Sequence, residues 1–240
     1  MDGRRLKRPL SSGIRRPSIR RPVKVDCHFG YHCPIENNDV KSSNNDRTVA
    51  AYENYARRYA ANVSPQPSES GASALRRLAD VLPSGGHVLD IGSGPGWDAD
   101  FLEGLGVRVR RTDVTKSFRD FQAERGQQVD ALDVLTEEIA ETYDGILMLC
   151  VLQHFERTEL DGVLHKLVNA LRDQGMVLLS HPVGQDEFWE HTASGDYRVV
   201  RWSSAALDER LRRSGFVITW DKSEDGDEGP WRTVLARKTS

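Results

Sequence analysis

Val88-Leu89-Asp90-Ile91-Gly92-Ser93-Gly94-Pro95-Gly96-Trp97 is the stretch on which the reading of this chain turns. A largely aliphatic run of strand length enters a glycine-rich turn, and residues of helical character follow. Glycines at 92, 94 and 96 let the backbone turn tightly and approach a ligand more closely than side chains would allow. The N–H groups of the loop and of the next helix start are expected to meet a carboxylate or a ribose edge. In open α/β sheets that place, the carboxyl end of the first strand, is where ligands bind.

The loop excludes two nucleotide chemistries. A dinucleotide fingerprint would put its third glycine where Trp97 stands, and Asp90 is foreign to it. No Gly-Lys-Ser/Thr is present, so there is no phosphate-binding loop for a nucleoside triphosphate. Downstream, Arg110-Arg111-Thr112-Asp113 ends the next strand on a carboxylate. Asp113 lies where a ribose diol would, and a free ribose suits it better than a 2′-phosphate, which would call for Arg.

Outward from the loop the chain alternates. Strands are predicted at 87–91, 107–112, 128–132, 144–150, 175–181, 215–220 and 231–236, with helices between most of them. In 158–172, Leu160, Val163, Leu164, Leu167 and Leu171 make one helical stripe. Two helices precede the loop, one from Asn45 or Asp46 to about Val63 and one over 73–82, ended by Pro83-Ser84-Gly85-Gly86. This pattern predicts an α/β fold whose seven-stranded, mostly parallel sheet carries helices on both faces. The last two strands are separated only by the acidic turn 223–230, so the final strand is expected to enter antiparallel.

The run LDIGSGPGW, Asp113, Asp133 within Val129-Asp130-Ala131-Leu132-Asp133-Val134, and YDGILMLCVLQHF together resemble the class I S-adenosylmethionine-dependent methyltransferases, over roughly 46–238. The likeness is greatest to small single-domain bacterial members with an RRTD-type second strand. It implies a Rossmann-like fold and S-adenosylmethionine as cofactor. It also implies a set of contacts. Asp90, Gly92, Ser93, Gly94, Gly96 and Trp97 would meet the methionyl end. Asp113 with Val114 would meet the ribose, and Leu132, Asp133 and Val134 the adenine. Met148 and Leu149 would line the sulfonium side. Tyr52 and Tyr59 match the family's N-terminal helix that closes over the cofactor; the same residues equally suit the packed stripe Val49, Tyr52, Ala56, Tyr59, Val63.

Methyl transfer depends mostly on holding the nucleophile and the methyl group together in a dry pocket, with a general base only where the acceptor is protonated. Gln153 and His154 follow the fourth strand directly. His154 is either a base of suitable pKa or a structural residue closing the strand–helix turn. His181 ends the fifth strand. The insert after it, 182–202, offers Trp189, His191, Tyr197, Arg198 and Arg201 to an acceptor, as a lid, or else is a surface excursion. Cys150 reads as core. After the fourth strand there is no Asp/Asn-Pro-Pro-Tyr/Phe and no Pro-Cys, which sets aside amino-methylation of DNA and cytosine C5 chemistry. The acceptor is therefore expected to be a small molecule, methylated at oxygen or nitrogen.

Composition sets the frame. The 240 residues are 38% hydrophobic and 29% charged, enough for one ample core. The longest apolar run, 146–152, is far too short to span a bilayer, so no membrane association is expected. Three cysteines do not make a disulfide framework, and no apolar segment follows the basic start, so a cytoplasmic protein is expected. The net charge of −3 divides into a basic arm and an acidic body, because residues 1–24 hold nine Lys/Arg against Asp2 alone. Residues 1–45 are read as that arm with a loop, and 46–240 as the catalytic domain. The arm is a solvated tail or a means of holding a polyanion, and in the second case the enzyme would be a tRNA or other RNA methyltransferase. A third possibility is a non-catalytic, cofactor-binding partner subunit. Cys27, His28, His32 and Cys33 lack a second ligand pair elsewhere, so no metal is expected.

Overall fold

The computed structural model describes residues 44–226 and 229–239. The basic arm, the Cys27/His28/His32/Cys33 cluster and two residues of the acidic turn, Asp227 and Glu228, lie outside the described residues.

Five strands follow the predicted order, β1 (His87–Ile91), β2 (Arg108–Thr112), β3 (Val129–Asp130), β4 (Tyr143–Met148) and β5 (Leu171–Pro182), and two more close the sheet, β8 (Phe216–Gly226) and β9 (Gly229–Lys238). Their order across the sheet is β3-β2-β1-β4-β5-β9-β8. β9 alone runs against its neighbours, antiparallel to both β5 and β8, as the sequence predicted. The central strands are buried on both faces, which is why they read as apolar runs without a polar alternation. Their period of two sorts side chains into two cores. Leu89, Ile91, Ile146, Met148, Val177 and Leu179 pack with α5 (Leu160–Ala170) and α6 (Ser204–Arg213). Val88, Leu147, Leu178 and Leu235 face the other way, onto α2 (Glu69–Val81) and Leu102 of α3 (Trp97–Gly104).

Four elements depart from the sequence reading. α5 stops at Ala170, and Leu171, read as the last residue of its stripe, turns to extended backbone and begins β5. α2 begins at Glu69, a turn earlier than expected, because Ser68 caps it by accepting a hydrogen bond from the Gly71 N–H at 3.1 Å. The insert 182–202 contains a hairpin, β6 (Glu187–Thr192) and β7 (Gly195–Val200), paired outside the main sheet. The acidic segment is largely ladder: Ser223 pairs with Arg232 and Gly226 with Gly229. Arg232, opposite Ser223 in the ladder, bonds Asp221 at 2.9 Å and Asp208 at 2.6 Å.

α1 (Asn44–Asn62) lies over the carboxyl end of the sheet, against α4 (Lys116–Glu124) and the hairpin. Glu53 fixes it there, its carboxylate accepting from the Lys116 and Ser117 N–H groups at 2.5 and 2.8 Å and so capping α4 from outside. Among the described residues, no helix is long and apolar enough to cross a membrane.

Candidate active site

Chain order reverses between β1 and β4, and a cavity of about 970 Å³ opens at their carboxyl ends. The segments after β1, β2, β3 and β4 form its floor, and α1 with the turn at 151–155 forms the rest of its wall.

The register Ile91↔Thr112 sets the glycine loop beside Asp113. Gly92, Gly94 and Gly96 have φ of 70°, 53° and 86°, the left-handed region that glycine occupies without strain. Three of the loop's amides are already engaged within the protein. Ser93 N–H donates to the Thr112 carbonyl, Gly94 N–H to Asp113 Oδ2 at 2.8 Å, and Gly96 N–H to the Ser93 carbonyl. They are spent on holding the loop's own shape.

Arg111 and Gln122, which the sequence did not single out, hold the loop from behind. The Arg111 guanidinium is buried and donates to the Gly96 carbonyl, Gln122 Oε1, Asp100 and Glu103 at 3.2, 3.1, 2.8 and 2.6 Å. Gln122 Nε2 continues to Ser93 Oγ and the Gly94 carbonyl at 2.7 and 2.8 Å. A Cβ on Gly96 would run into the Gln122 amide and the Arg111 guanidinium, whereas one on Gly94 would meet nothing within 4 Å. Gly96→Ala is therefore expected to lower the melting temperature sharply. Gly94→Ala should cost only its backbone strain, on the order of 1–2 kcal/mol, while obstructing a ligand on the loop. Thermal melts and ligand titration of the pair check this.

Three carboxylates line the cavity, Asp98, Asp113 and Asp133, and no Lys or Arg does among the described lining residues. Burial pushes both Asp98 and Asp113 up to about 6. Asp113 is also bonded by the Thr115 N–H at 2.7 Å. Asp133 accepts from the Leu135 N–H and the Thr136 hydroxyl at 3.0 and 2.9 Å, so it shapes its own turn. Asp98, in the first turn of α3, was missed by the sequence reading, although its place just after the loop was a usable signal.

Other expected residues fall as follows. Val114, Leu132, Val134 and Leu149 line the cavity, as do Tyr52 and Tyr59. Trp97 turns away, edge-on to Phe121 and under the Arg125 guanidinium, and Gly96 lies behind the loop, so neither reaches the main wall. Met148 is inside the ladder, paired with Leu179, and points into the core. Asp90 sits beneath the loop; burial first, then the nearby Asp98, keeps its carboxyl well above the ordinary range. His181 is fully buried, 3.1 Å from the Pro182 carbonyl and outside the cavity wall. Cys150, read as core in the sequence, is exposed and lines the wall with φ 56°, because it lies beyond the end of β4; its N–H donates to Ser180 Oγ at 2.9 Å.

His154 is tied on both sides. Its Nδ1 is 2.7 Å from the Arg198 carbonyl and its Nε2 is 3.1 Å from the Tyr52 hydroxyl. Burial brings its pKa down to about 4, so the ring is neutral. A carbonyl only accepts, so the proton is on Nδ1, and Tyr52 O–H donates to Nε2. Gln153 is buried behind, its Nε2 donating to the Cys150 carbonyl at 2.6 Å and approaching His154 Nε2 at 3.3 Å. Of the insert, Tyr197 packs its ring against Tyr52 and His154, and Arg198 supplies the carbonyl. Trp189 stacks under Arg47, His191 pairs with Asp196, and Arg201 stacks on Phe188, all away from the cavity wall.

The model of a family described as a methyltransferase domain matches residues 55–219. No curated protein matches the sequence. Among solved structures, the fold is similar to that of the DhpI–SAH complex, with 21% identity, a TM-score of 0.66, and coverage of 81% of this chain and 97% of that one. It is also similar to magnesium protoporphyrin IX methyltransferase of Synechocystis PCC 6803 with bound SAM, at 17%, 0.66, 84% and 100%. A third similar structure is the 1,6-didemethyltoxoflavin-N1-methyltransferase of Burkholderia thailandensis with bound 1,6-didemethyltoxoflavin and S-adenosylhomocysteine, at 21%, 0.54, 70% and 80%. At these identities the likeness is one of fold.

Proposed function

The chain belongs to the class I S-adenosylmethionine-dependent methyltransferases, and from that membership we propose that it methylates oxygen or nitrogen of a small organic molecule. The observation that carries this reading is the composition of the cavity: carboxylates after β2 and β3 and in α3, and no lining Lys or Arg among the described residues. A cationic cofactor suits such a wall, and a pyrophosphate does not. When bound, S-adenosylmethionine supplies a methyl group made electrophilic by its sulfonium.

In this reading Asp113 holds the ribose hydroxyls and the loop from Gly92 to Gly94 lies along the methionyl chain. Leu132, Val134 and Val114 flank the adenine, and Asp98 offers its charge to the cationic end. Tyr59 and Phe118 close the apolar side and help to exclude water. The part of the cavity left for an acceptor lies under α1, between Asn45, Val49, Tyr52, Val151, His154 and Phe155.

Calorimetry on the full chain with S-adenosylmethionine, S-adenosylhomocysteine and NAD tests the cofactor site; binding of the two sulfur compounds and not NAD is expected. Label from methyl-labelled donor should then enter small molecules; transfer to bulk tRNA instead would overturn the small-molecule reading. Affinity for S-adenosylmethionine should fall as pH drops through about 6, where Asp98 and Asp113 take up protons. The same raised pKa makes an ionised Asp98 unfavourable for the free fold above about pH 6 and neutral in effect near pH 4. Asp98→Asn is thus expected to raise the melting temperature of the free protein at pH 8 but not at pH 4, while weakening the cofactor. Melts and titrations at both pH values check it.

A further inference from the structure

We propose that the acceptor pocket selects an uncharged nitrogen nucleophile bearing an N–H, over carboxylate, phosphonate and alcohol acceptors. The proposal rests on the methyltransferase reading above and adds the class of acceptor.

Charge is the first argument. A cavity holding three carboxylates, with no Lys or Arg on the described wall, offers an anionic acceptor repulsion and no ion-pair partner. Arg198, whose carbonyl holds His154, is not on the wall; its guanidinium pairs with Glu187 at 3.1 Å and Glu156 at 3.9 Å. Desolvating an anion without a counter-charge is costly, so acids are rejected even where their shape fits.

The second argument is the fixed direction of the Tyr52–His154 hydrogen bond. With Nδ1–H given to the Arg198 carbonyl and Nε2 taken by Tyr52 O–H, His154 has no free lone pair for a substrate proton. Tyr52 has spent its only hydrogen, so its oxygen can only accept from whatever lies in the pocket. Burial holds the imidazole neutral and the Tyr52 phenol protonated, which agrees with this geometry. An alcohol needs a base to become a nucleophile, and the acceptor side provides none. An amine or heteroaromatic nitrogen needs none. Its lone pair forms the N–C bond as the C–S bond breaks and that bond's electron pair passes to sulfur. The methylated product is cationic and gives its N–H proton to water on release, from the same nitrogen in an amine and from the other ring nitrogen in benzimidazole. Before that, the N–H donates to Tyr52 Oη, which aims the lone pair. Tyr52 is a positioning residue, and His154 acts through it.

Calorimetry on the full chain saturated with S-adenosylhomocysteine tests this, with aniline, benzimidazole, 1-methylbenzimidazole, phenol, benzoate and phenylphosphonate as probes. Aniline and benzimidazole are expected to bind at least tenfold more tightly than benzoate and phenylphosphonate, and benzimidazole more tightly than its N-methyl derivative. Tyr52→Phe should remove the preference for benzimidazole over 1-methylbenzimidazole. Val49→Lys, which adds an ammonium group to the same wall, should shift the ranking toward benzoate. Phenol serves in the turnover arm: labelled methyl should reach aniline or benzimidazole in preference to phenol. Anions binding as tightly as the nitrogen bases overturn the proposal, as does preferential methylation of phenol or a failure of every probe to bind protein that still holds S-adenosylhomocysteine. Loss of S-adenosylhomocysteine binding overturns the underlying cofactor reading instead.

Discussion

Asp113→Ala is expected to lower affinity for S-adenosylhomocysteine on the order of a hundredfold, about 3 kcal/mol, with the fold retained. The carboxylate has two duties. Its oxygens accept from Gly94 N–H and Thr115 N–H, fixing the loop and the start of α4, and their remaining lone pairs face the cavity. Alanine removes both at once and leaves two backbone donors in a buried place without partners. Asn should not rescue, because either orientation of its amide sets the NH₂ group against one of those N–H donors. Calorimetry of Asp113→Ala and Asp113→Asn beside a melting curve checks this. Unchanged affinity with an intact fold would remove Asp113 from the cofactor site.

Arg111→Met is expected to be the most destabilising of the substitutions considered, costing about 3–5 kcal/mol and roughly 10 °C or more in melting temperature. Only 2% of the Arg111 side chain is exposed, and it satisfies four acceptors on three elements. Methionine fills the volume but leaves Gln122 Oε1 and the Gly96 carbonyl without their donor and removes the counter-charge of Asp100 and Glu103. Because Gln122 carries Ser93 Oγ and the Gly94 carbonyl, cofactor affinity should fall with stability. Arg111→Lys keeps the charge without the planar fork, so an intermediate loss is expected. Denaturant titration with calorimetry checks all three; a melting temperature within 2 °C of wild type for Arg111→Met would show the loop to be held by its glycines alone.

The sequence by itself determined the sheet and the place of Asp113 beside the glycine loop. These depend on local, repeating causes: buried strands read as aliphatic runs, glycines supply left-handed turns, and a strand's last residue falls at a ligand-facing edge. The antiparallel last strand was legible for the same reason, since no helix intervenes to carry the chain back across the sheet.

Only the tertiary structure decided which side chains enter the site. Trp97 is adjacent to the loop in sequence, yet its indole is drawn away by Phe121 and Arg125 on α4. Met148 stands two positions before Cys150, but the ladder to β5 consigns it to the core while Cys150, beyond the strand end, lines the cavity. His154, singled out in the sequence, lines the cavity, but its state was not readable. Its neutrality comes from burial, and its direction from Arg198, 44 residues later, and Tyr52, 102 residues earlier. Arg111 was read only as part of a strand, because nothing in its neighbours reveals that its four acceptors lie on α3, α4 and the loop. Backbone path follows from patterns repeated along the chain. Side-chain direction and protonation follow from partners distant in sequence, and packing alone brings those together.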